Sequence, residues 1–383
     1  MEKVKVYQPQ YYKKFRCTGS ECRDNCCSGW GIMIDKDAYE RFMSLDADNR
    51  SEFEKKTEPT GEEAFPARHK LDENGNCEFL AAGGLCGIQL KYGHEFLCRT
   101  CRMYPRRFCD VAGETEMFLE LSCEAACKLV LFEQNIMKFD TALMDGGTIL
   151  QYNCLKPEKY APGGDAVSVF WKLRTTSIMI VQSRHLRFRI RMLILGIFIK
   201  QSSELLSAGN YSELLELADT FRERMDTDYY DEVSKRAPGG AELDFHFIND
   251  MLGKFEPVGR RSLRKSIEMA REGLGVTPEG EIPETLGDSF LKYYELYFSD
   301  KEYIFENYVM SHIFTDGFPF NFNYEDNIMK NYKELLIKYS VIKFLLVGVS
   351  CRYMKYDKRR VVECVSSFSR IYDHIRDGVL IIK

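Results

Sequence analysis

The sequence predicts a mainly α protein: a small, irregular α+β cysteine-rich module over residues 1–130, followed by an α-helical body over 131–383. Two observations predict this division. Of the 14 cysteines, all but Cys154, Cys351 and Cys364 lie between Cys17 and Cys127, in a stretch crowded with turn signals such as Thr18-Gly19-Ser20, Glu73-Asn74-Gly75-Asn76 and Ala81-Ala82-Gly83-Gly84. From about residue 165 onward, apolar residues instead recur at spacings of three and four over long segments, the period of an amphipathic helix.

Within the module, "GWGIMIDKDAYERFMSL" reads as a short strand over Ile32 to Ile34, with Asp35 or Asp37 capping a helix over 37–45. "CEFLAAGGLCGIQLKYG" reads as two short strands around a Gly-Gly turn, "GETEMFLELSC" as a further strand, and 124–138 as helix. In the body, "AVSVFWKLRTTSIMIVQ", "LRFRIRMLILGIFIKQSSELL" and "YSELLELADTFRERM" read as helices, with breaks at 161–164, 237–240 and 273–283. The last third, including "EYIFENYVMSHIFTD" and "NYKELLIKYSVIKFLLVGVSCRY", is again helical, and Asp357 caps the final helix.

The chain of 383 residues, 45% hydrophobic, is long enough for two domains or one large core. A net charge of −5 gives no global reason to expect nucleic acid as a partner. The opening MEKVKVYQPQYYKKF lacks the apolar core of a signal peptide, and the longest apolar runs fall well short of a membrane span. The expectation is a cytoplasmic protein without membrane insertion. Thiols stay reduced in that compartment, so a dense cysteine cluster reads as metal-binding or catalytic and not as a disulfide framework. The three late cysteines read as buried thiols.

The spacing runs Cys17, Cys22, Cys26, Cys27, Cys77, Cys86, Cys98, Cys101, Cys109, Cys123, Cys127. Thiolates are soft ligands that suit zinc, copper(I) and iron–sulfur clusters, and four suffice for a tetrahedral zinc or one cubane cluster. Ordinary zinc fingers carry paired C-x2-C knuckles; here Cys98 and Cys101 form a single one. The C-x3-C-x2-C of radical enzymes that cleave S-adenosylmethionine (SAM) is also absent, because Gly29 stands where its third cysteine belongs. Neighbouring side chains diverge, so Cys26 and Cys27 are expected to serve two separate duties. Cys98, Cys109 and Cys127 read as packed thiols. These residues establish a thiolate metal module and leave open how many centres it holds.

"FRCTGSECRDNCCSGWGIMIDKDAYERF" resembles the opening of the flagellin lysine-N-methylase family, with its Cys-Cys-x-Gly-Trp run and Ile-Asp strand end. "CEFLAAGGLCGIQLKYGHEFLCRTCRMYPRRF" and "LELSCEAACKLVL" are similar to later family blocks, although Glu124 stands where proline is usual. Segments of the body, "FENYVMSHIFTDGFPF" and "SSFSRIYDHI" among them, continue the likeness, which spans nearly the whole chain. The cysteine blocks alone are shared with a broader group of zinc- or iron-chelating proteins. The resemblance implies SAM-dependent methylation of lysines on flagellin and a [4Fe–4S] cluster: one, two, or one together with zinc. It implies Cys17, Cys22, Cys26, Cys27, Cys77, Cys86, Cys101 and Cys123 as the metal-site thiols, and has no cysteine at positions 98, 109 and 127; because Cys98 and Cys101 lie three apart, an alternative ligand choice stays open there. It also implies that Trp30 packs over the module. The alternative is a non-catalytic zinc- or iron-chelating protein, with a structural metal module on a helical interaction body.

A lysine acceptor must lose its proton before it attacks a sulfonium, since an ammonium has no lone pair. Tyr104 and Glu306 are polar residues of the resembling segments that suit such a task, yet neither is singled out as the base. No Gly-rich strand-to-helix turn of a nucleotide-binding sheet is present; the Gly-Gly pairs at 146–147 and 163–164 follow no convincing strand. The expected place for SAM is therefore the cysteine module or the space between helices. Arg184, Arg187 and Arg191 fall on one face of a predicted helix and suit a carboxylate, an acidic surface or ion pairs, with Arg189 off that face. Arg106-Arg107 and the basic run at 259–265 read as surface charge.

Overall fold

A computed structural model describes residues 3–146, 149, 151–162, 165–236, 244–255, 261–322 and 327–373. The expected break at 237–240, the glycines at 163–164 and residues 259–260 of the basic run lie outside these. In the N-terminal part, β1 (Lys3–Pro9) precedes β2 (Met33–Ile34), α1 (Lys36–Met43), α2 (Ala47–Lys55), β3 (Thr57–Pro59) and β4 (Ala67–His69). Then come α3 (Gly87–Tyr92), α4 (Arg99–Met103), β5 (Arg106–Val111), β6 (Glu114–Leu119), α5 (Glu124–Leu131), β7 (Phe139–Asp145) and β8 (Gln151–Leu155). The body runs α6 (Ala166–Gln182), α7 (Phe188–Ser207), α8 (Tyr211–Met225), α9 (Tyr229–Arg236), α10 (Phe245–Phe255) and α11 (Arg261–Leu274). It ends with α12 (Leu286–Phe298), α13 (Tyr303–Thr315), α14 (Ile328–Tyr353) and α15 (Lys358–Tyr372). The protein is mainly α.

Three layers position the cysteines. The first is a small unit with its own core, in which Phe42 stacks on Phe53 at 4.0 Å beside Ile34, Phe79, Ile88 and Leu97. A three-stranded sheet, ordered β2-β4-β3, closes it. The second is a five-stranded sheet ordered β7-β1-β6-β5-β8, parallel at β1–β6 and β5–β8. The third is the helical body, whose core takes in Val111, Phe118 and Leu119 from that sheet together with α5. A buried ion pair, Arg174 to Glu116 at 2.6 Å, crosses from α6 to β6.

Local chemistry explains most elements. The Asp35 side chain accepts from the Ala38 amide and caps α1, and Asp357 caps α15 through the Arg359 amide. Ala112 (φ 53°) and Gly113 (φ 85°) turn the β5–β6 hairpin, a two-residue turn with both central residues left-handed.

Three expectations are corrected. The stretch around the Gly83-Gly84 turn makes only the isolated bridges Leu71–Cys77 and Leu80–Cys86, and its second half is α3. Ile88 and Tyr92, four apart, present one helical side to the Phe42–Phe53 core, and that burial outweighs the strand-like composition. The helix expected over 124–138 stops at Leu131, with Glu133 accepting from the Asn135 amide in a turn. The sequence reading placed no strands at β7 and β8, because an edge strand open to solvent carries little alternating signal. No helix among the described residues is long and apolar enough to cross a membrane.

The body's tightest contact is between α11 and α14. A Cβ on Gly273 would lie 2.0 Å from the Gly348 carbonyl oxygen, and one on Gly348 2.5 Å from that of Ala270. Gly273→Ala is expected to lower stability by about 1–3 kcal/mol through overpacking, read as a lowered urea midpoint with circular dichroism.

Candidate metal centre

Three thiols stand at the N-caps of short helices: Cys86 before α3, Cys98 before α4 and Cys123 before α5. The first amides of a helix carry partial positive charge and favour a thiolate over a thiol. The amides of Ile88 and Gln89 act on Cys86 in this sense, and those of Ala125 and Ala126 on Cys123.

Cys26 and Cys27 do not diverge as expected. They occupy a turn, with the Cys27 amide donating to Asn25 Oδ1 at 2.9 Å, and their sulfurs meet. Side chains alternate only on an extended strand, and a turn lets neighbours converge. Cys27 also touches Cys86, joining the first cysteine loop to the second. Trp30 donates from Nε1 to the Cys26 carbonyl at 2.7 Å and meets Tyr104 edge-on, so the indole packs against the thiol loop.

The sulfurs work in pairs. Contact with Cys27 lowers Cys26 to about 7, and Arg370 adds to this, while Cys27 is pushed up. Contact with Cys27 likewise lowers Cys86 to about 6. Contact with Cys101 lowers Cys98 to about 5, assisted by His69, and Cys101 is pushed up. Burial raises Cys22 to about 12, and Cys77 and Cys123 each to about 11. In each contact one sulfur is held toward the thiolate and its neighbour toward the thiol, and a metal would displace the remaining protons.

The eight thiols singled out from the sequence spread over two neighbouring places. Cys17, Cys22, Cys26 and Cys123 lie near enough for their charges to act on one another. Cys77, Cys86 and Cys101 pack against the core of the small unit, and Cys26 and Cys27, in contact with each other, stand between the two places, with Cys86 near both. Among the described residues, His69, Cys98 and Cys101 form a set whose donor atoms all lie within 4.8 Å of one another. Sequence reading left His69 out and favoured Cys98 as a packed thiol while leaving its choice as a ligand beside Cys101 open; a lone histidine 29 residues before Cys98 carries no spacing signal. A reduced, thiol-rich set fits the donor chemistry of an iron–sulfur cluster or zinc.

Cys109 and Cys127 are buried and packed as expected, as are Cys351 and Cys364. Cys154 is exposed, contrary to expectation: on the edge strand β8 its neighbour Leu155 turns inward, so Cys154 turns out.

The thiol loops are held by the C-terminal helix. From α15, Arg370 donates to Asp24 Oδ1 at 2.7 Å, to the Asn25 carbonyl at 3.0 Å and to the Ser122 carbonyl at 2.9 Å; a further bond reaches the Asp24 carbonyl. One guanidinium thus spans the loop carrying Cys22, Cys26 and Cys27 and the turn carrying Cys123.

Residues 174–379, more than half of the chain, match the family model described as the FliB lysine N-methylase C-terminal domain. The chain belongs to the FliB lysine N-methylase family. A protein of Salmonella muenchen named flagellar biosynthetic protein FliU is 30% identical over 145 residues, which cover 36% of this chain and 83% of that protein. A lysine-N-methylase of Salmonella typhimurium is 28% identical over 145 residues, or 36% of this chain and 35% of that protein. A lysine-N-methylase of Salmonella choleraesuis gives the same identity and coverage. The match thus spans about a third of the length of these two lysine-N-methylases. No solved structure matches.

The part matched to the FliB family model holds an unusual number of buried charges. Glu306 on α13 is fully buried and takes Arg184 through both carboxylate oxygens, at 2.7 and 2.9 Å, and Arg191 at 2.6 Å. Arg187 pairs with Glu302 and Glu295. The three arginines therefore serve ion pairs. They do not share one helix either, since Arg184 lies in the turn before α7 and Arg187 is its N-cap. Glu306, committed to two guanidiniums, is poorly placed to accept a proton from a substrate. Burial raises Tyr104 above the ordinary phenol range, and its hydroxyl bonds Ser122 Oγ at 3.0 Å, so it stays a neutral phenol. Arg107, read as surface charge, is largely covered, with 24% of its side chain exposed, and pairs with Glu120 across the hairpin at 3.0 Å.

Lys338 on α14 bonds Asp316 at 2.7 Å and stands 3.3 Å from His312 Nδ1. Burial opposes the Asp316 charge, but Lys338 and His312 hold the carboxyl well below its usual range. Its side chain is still 37% exposed, so solvent weakens the pair.

Arg370→Ala is expected to destabilise the protein by about 3 kcal/mol, because a partly buried carboxylate and three carbonyls lose a charged donor. Arg370→Lys should restore only part of that, lacking the planar fork; urea denaturation of the three proteins checks both. A depressed folded pKa means that Asp316 stabilises the fold above the unfolded carboxylate value of about 3.9 and loses that contribution as pH falls below it. The stability gap between wild type and Asp316→Asn should therefore be largest near neutral pH and narrow below about pH 4, as read from urea midpoints across that range.

Proposed function

We propose that this protein is a SAM-dependent lysine N-methyltransferase acting on flagellin, with a [4Fe–4S] cluster on the thiols gathered under Arg370. Membership of the FliB lysine N-methylase family carries the reading, and the names of the relatives, lysine-N-methylase and flagellar biosynthetic protein, support its acceptor. Cys17, Cys22, Cys26 and Cys123 would hold the cluster, four soft donors on two loops that one guanidinium ties together. When bound, a cluster of this kind supplies an electrophilic, redox-active iron centre.

The chain's own groups have definite tasks in this reading. Arg370 fixes the two loops and adds positive charge beside Cys26, which favours its thiolate. Tyr104, neutral and bonded to Ser122, presents a dipole and not a base beside Cys123. The buried pairs of Glu306 and Glu116 hold α13 against α7 and α6 against β6, and an acceptor lysine would have to meet a desolvated environment to give up its proton.

Protein reconstituted anaerobically with iron and sulfide, then incubated with SAM and flagellin, should add methyl groups to flagellin lysines, read by peptide mass spectrometry. Cys26→Ala should abolish both the bound iron and the methylation. No methylation with a cluster demonstrably bound overturns the proposal.

A further inference from the structure

The thiols on the far side of Cys27 form a set of a different character, because a histidine belongs to it. His69 ends β4 with 3% of its surface exposed, held there by its amide bond to the Ile32 carbonyl and by the edge of the Phe79 ring. Its ring faces Cys98, itself 2% exposed, and the donor atoms of His69, Cys98 and Cys101 lie within 4.8 Å of one another. The Nδ1 atom of His69 is buried with no hydrogen-bond partner. An orphaned polar atom in an otherwise apolar core needs a reason. The residue that carries it belongs to a trio of metal-binding side chains. Cys86 packs against the same core as Cys98 and Cys101 but lies outside that 4.8 Å set, so it has to move in to complete four ligands.

We propose that His69, Cys86, Cys98 and Cys101 form a mononuclear structural zinc site, separate from the four thiols held under Arg370. One imidazole and three thiolates are a common tetrahedral zinc set, whereas cubane iron–sulfur clusters take four cysteines as a rule. Zinc–sulfur and zinc–nitrogen bonds of about 2.3 and 2.0 Å place ligand atoms roughly 3.5–3.8 Å apart, so the trio closes on an ion with small side-chain shifts. Binding displaces to solvent whatever protons the three sulfurs hold, leaving neutral imidazole, three thiolates and Zn²⁺, with no redox step. The position explains what the ion is for. It ties β4 to α3 and α4, and with them the Cys86–Cys27 contact that reaches the Arg370 side. The site does not depend on the methyl-transfer reading.

The test is the zinc, iron and acid-labile sulfide content of the full chain purified anaerobically, in wild type, His69→Ala, Cys98→Ser and Cys26→Ser. One zinc per chain is expected in wild type. His69→Ala and Cys98→Ser should lose at least nine-tenths of it while keeping wild-type iron and sulfide, and Cys26→Ser should do the reverse. Wild type with iron and sulfide but no zinc overturns the proposal, as does loss of iron in step with zinc in the His69 and Cys98 variants. Should those variants misfold, wild type in which cobalt(II) replaces zinc decides it by X-ray absorption. Three sulfurs and one nitrogen around the metal support the site, and an all-sulfur or oxygen-rich shell refutes it.

Discussion

The Arg370 guanidinium holds two cysteine loops that are about a hundred residues apart in sequence, and the geometry of the thiols follows from that grip. Its five donors reach Asp24, Asn25 and Ser122, while its helix is rooted in the main core through Val361, Val365 and Phe368. Loops of this kind have no core of their own around residues 17–27. Without a rigid partner they would have no reason to hold one shape. A planar, permanently charged fork is suited to this, since it bonds several carbonyls at once without changing protonation.

The same logic recurs in the helical body. Glu306 between Arg184 and Arg191, and Glu116 against Arg174, are carboxylates removed from water and paired with guanidiniums. Such pairs add little net stability against an apolar core of equal shape, but they penalise any arrangement that separates them. They therefore fix how α6, α7 and α13 meet the sheet. The close approach of α11 and α14 through Gly273 and Gly348 does this by shape alone. The result is a rigid helical wall on which a loop-rich module is mounted.

Much of this was legible beforehand. The amphipathic period located the body helices because each buries one side in a shared core, and aspartates marked the starts of α1 and α15 because capping is local chemistry. Edge strands β7 and β8 and the short helix α3 escaped, since a few residues with one partner carry too little periodicity. Cysteine density pointed to a metal module, and the resemblance to eight of its thiols. His69 escaped because its role comes from β4 passing beside α4. The arginines were legible as charge suited to ion pairs, but their partners were not, because Glu295, Glu302 and Glu306 lie more than a hundred residues away.

By itself the sequence determined the class of fold, the thiolate chemistry and the family likeness, all of which depend on residue type and local spacing. The tertiary structure alone decided which thiols meet: a turn brings Cys26 onto Cys27, three helix starts aim Cys86, Cys98 and Cys123, and a C-terminal arginine draws the loops together. The physical reason is range. Propensity and capping act over a few residues, whereas a donor set is assembled by contacts between segments whose separation along the chain leaves no local trace.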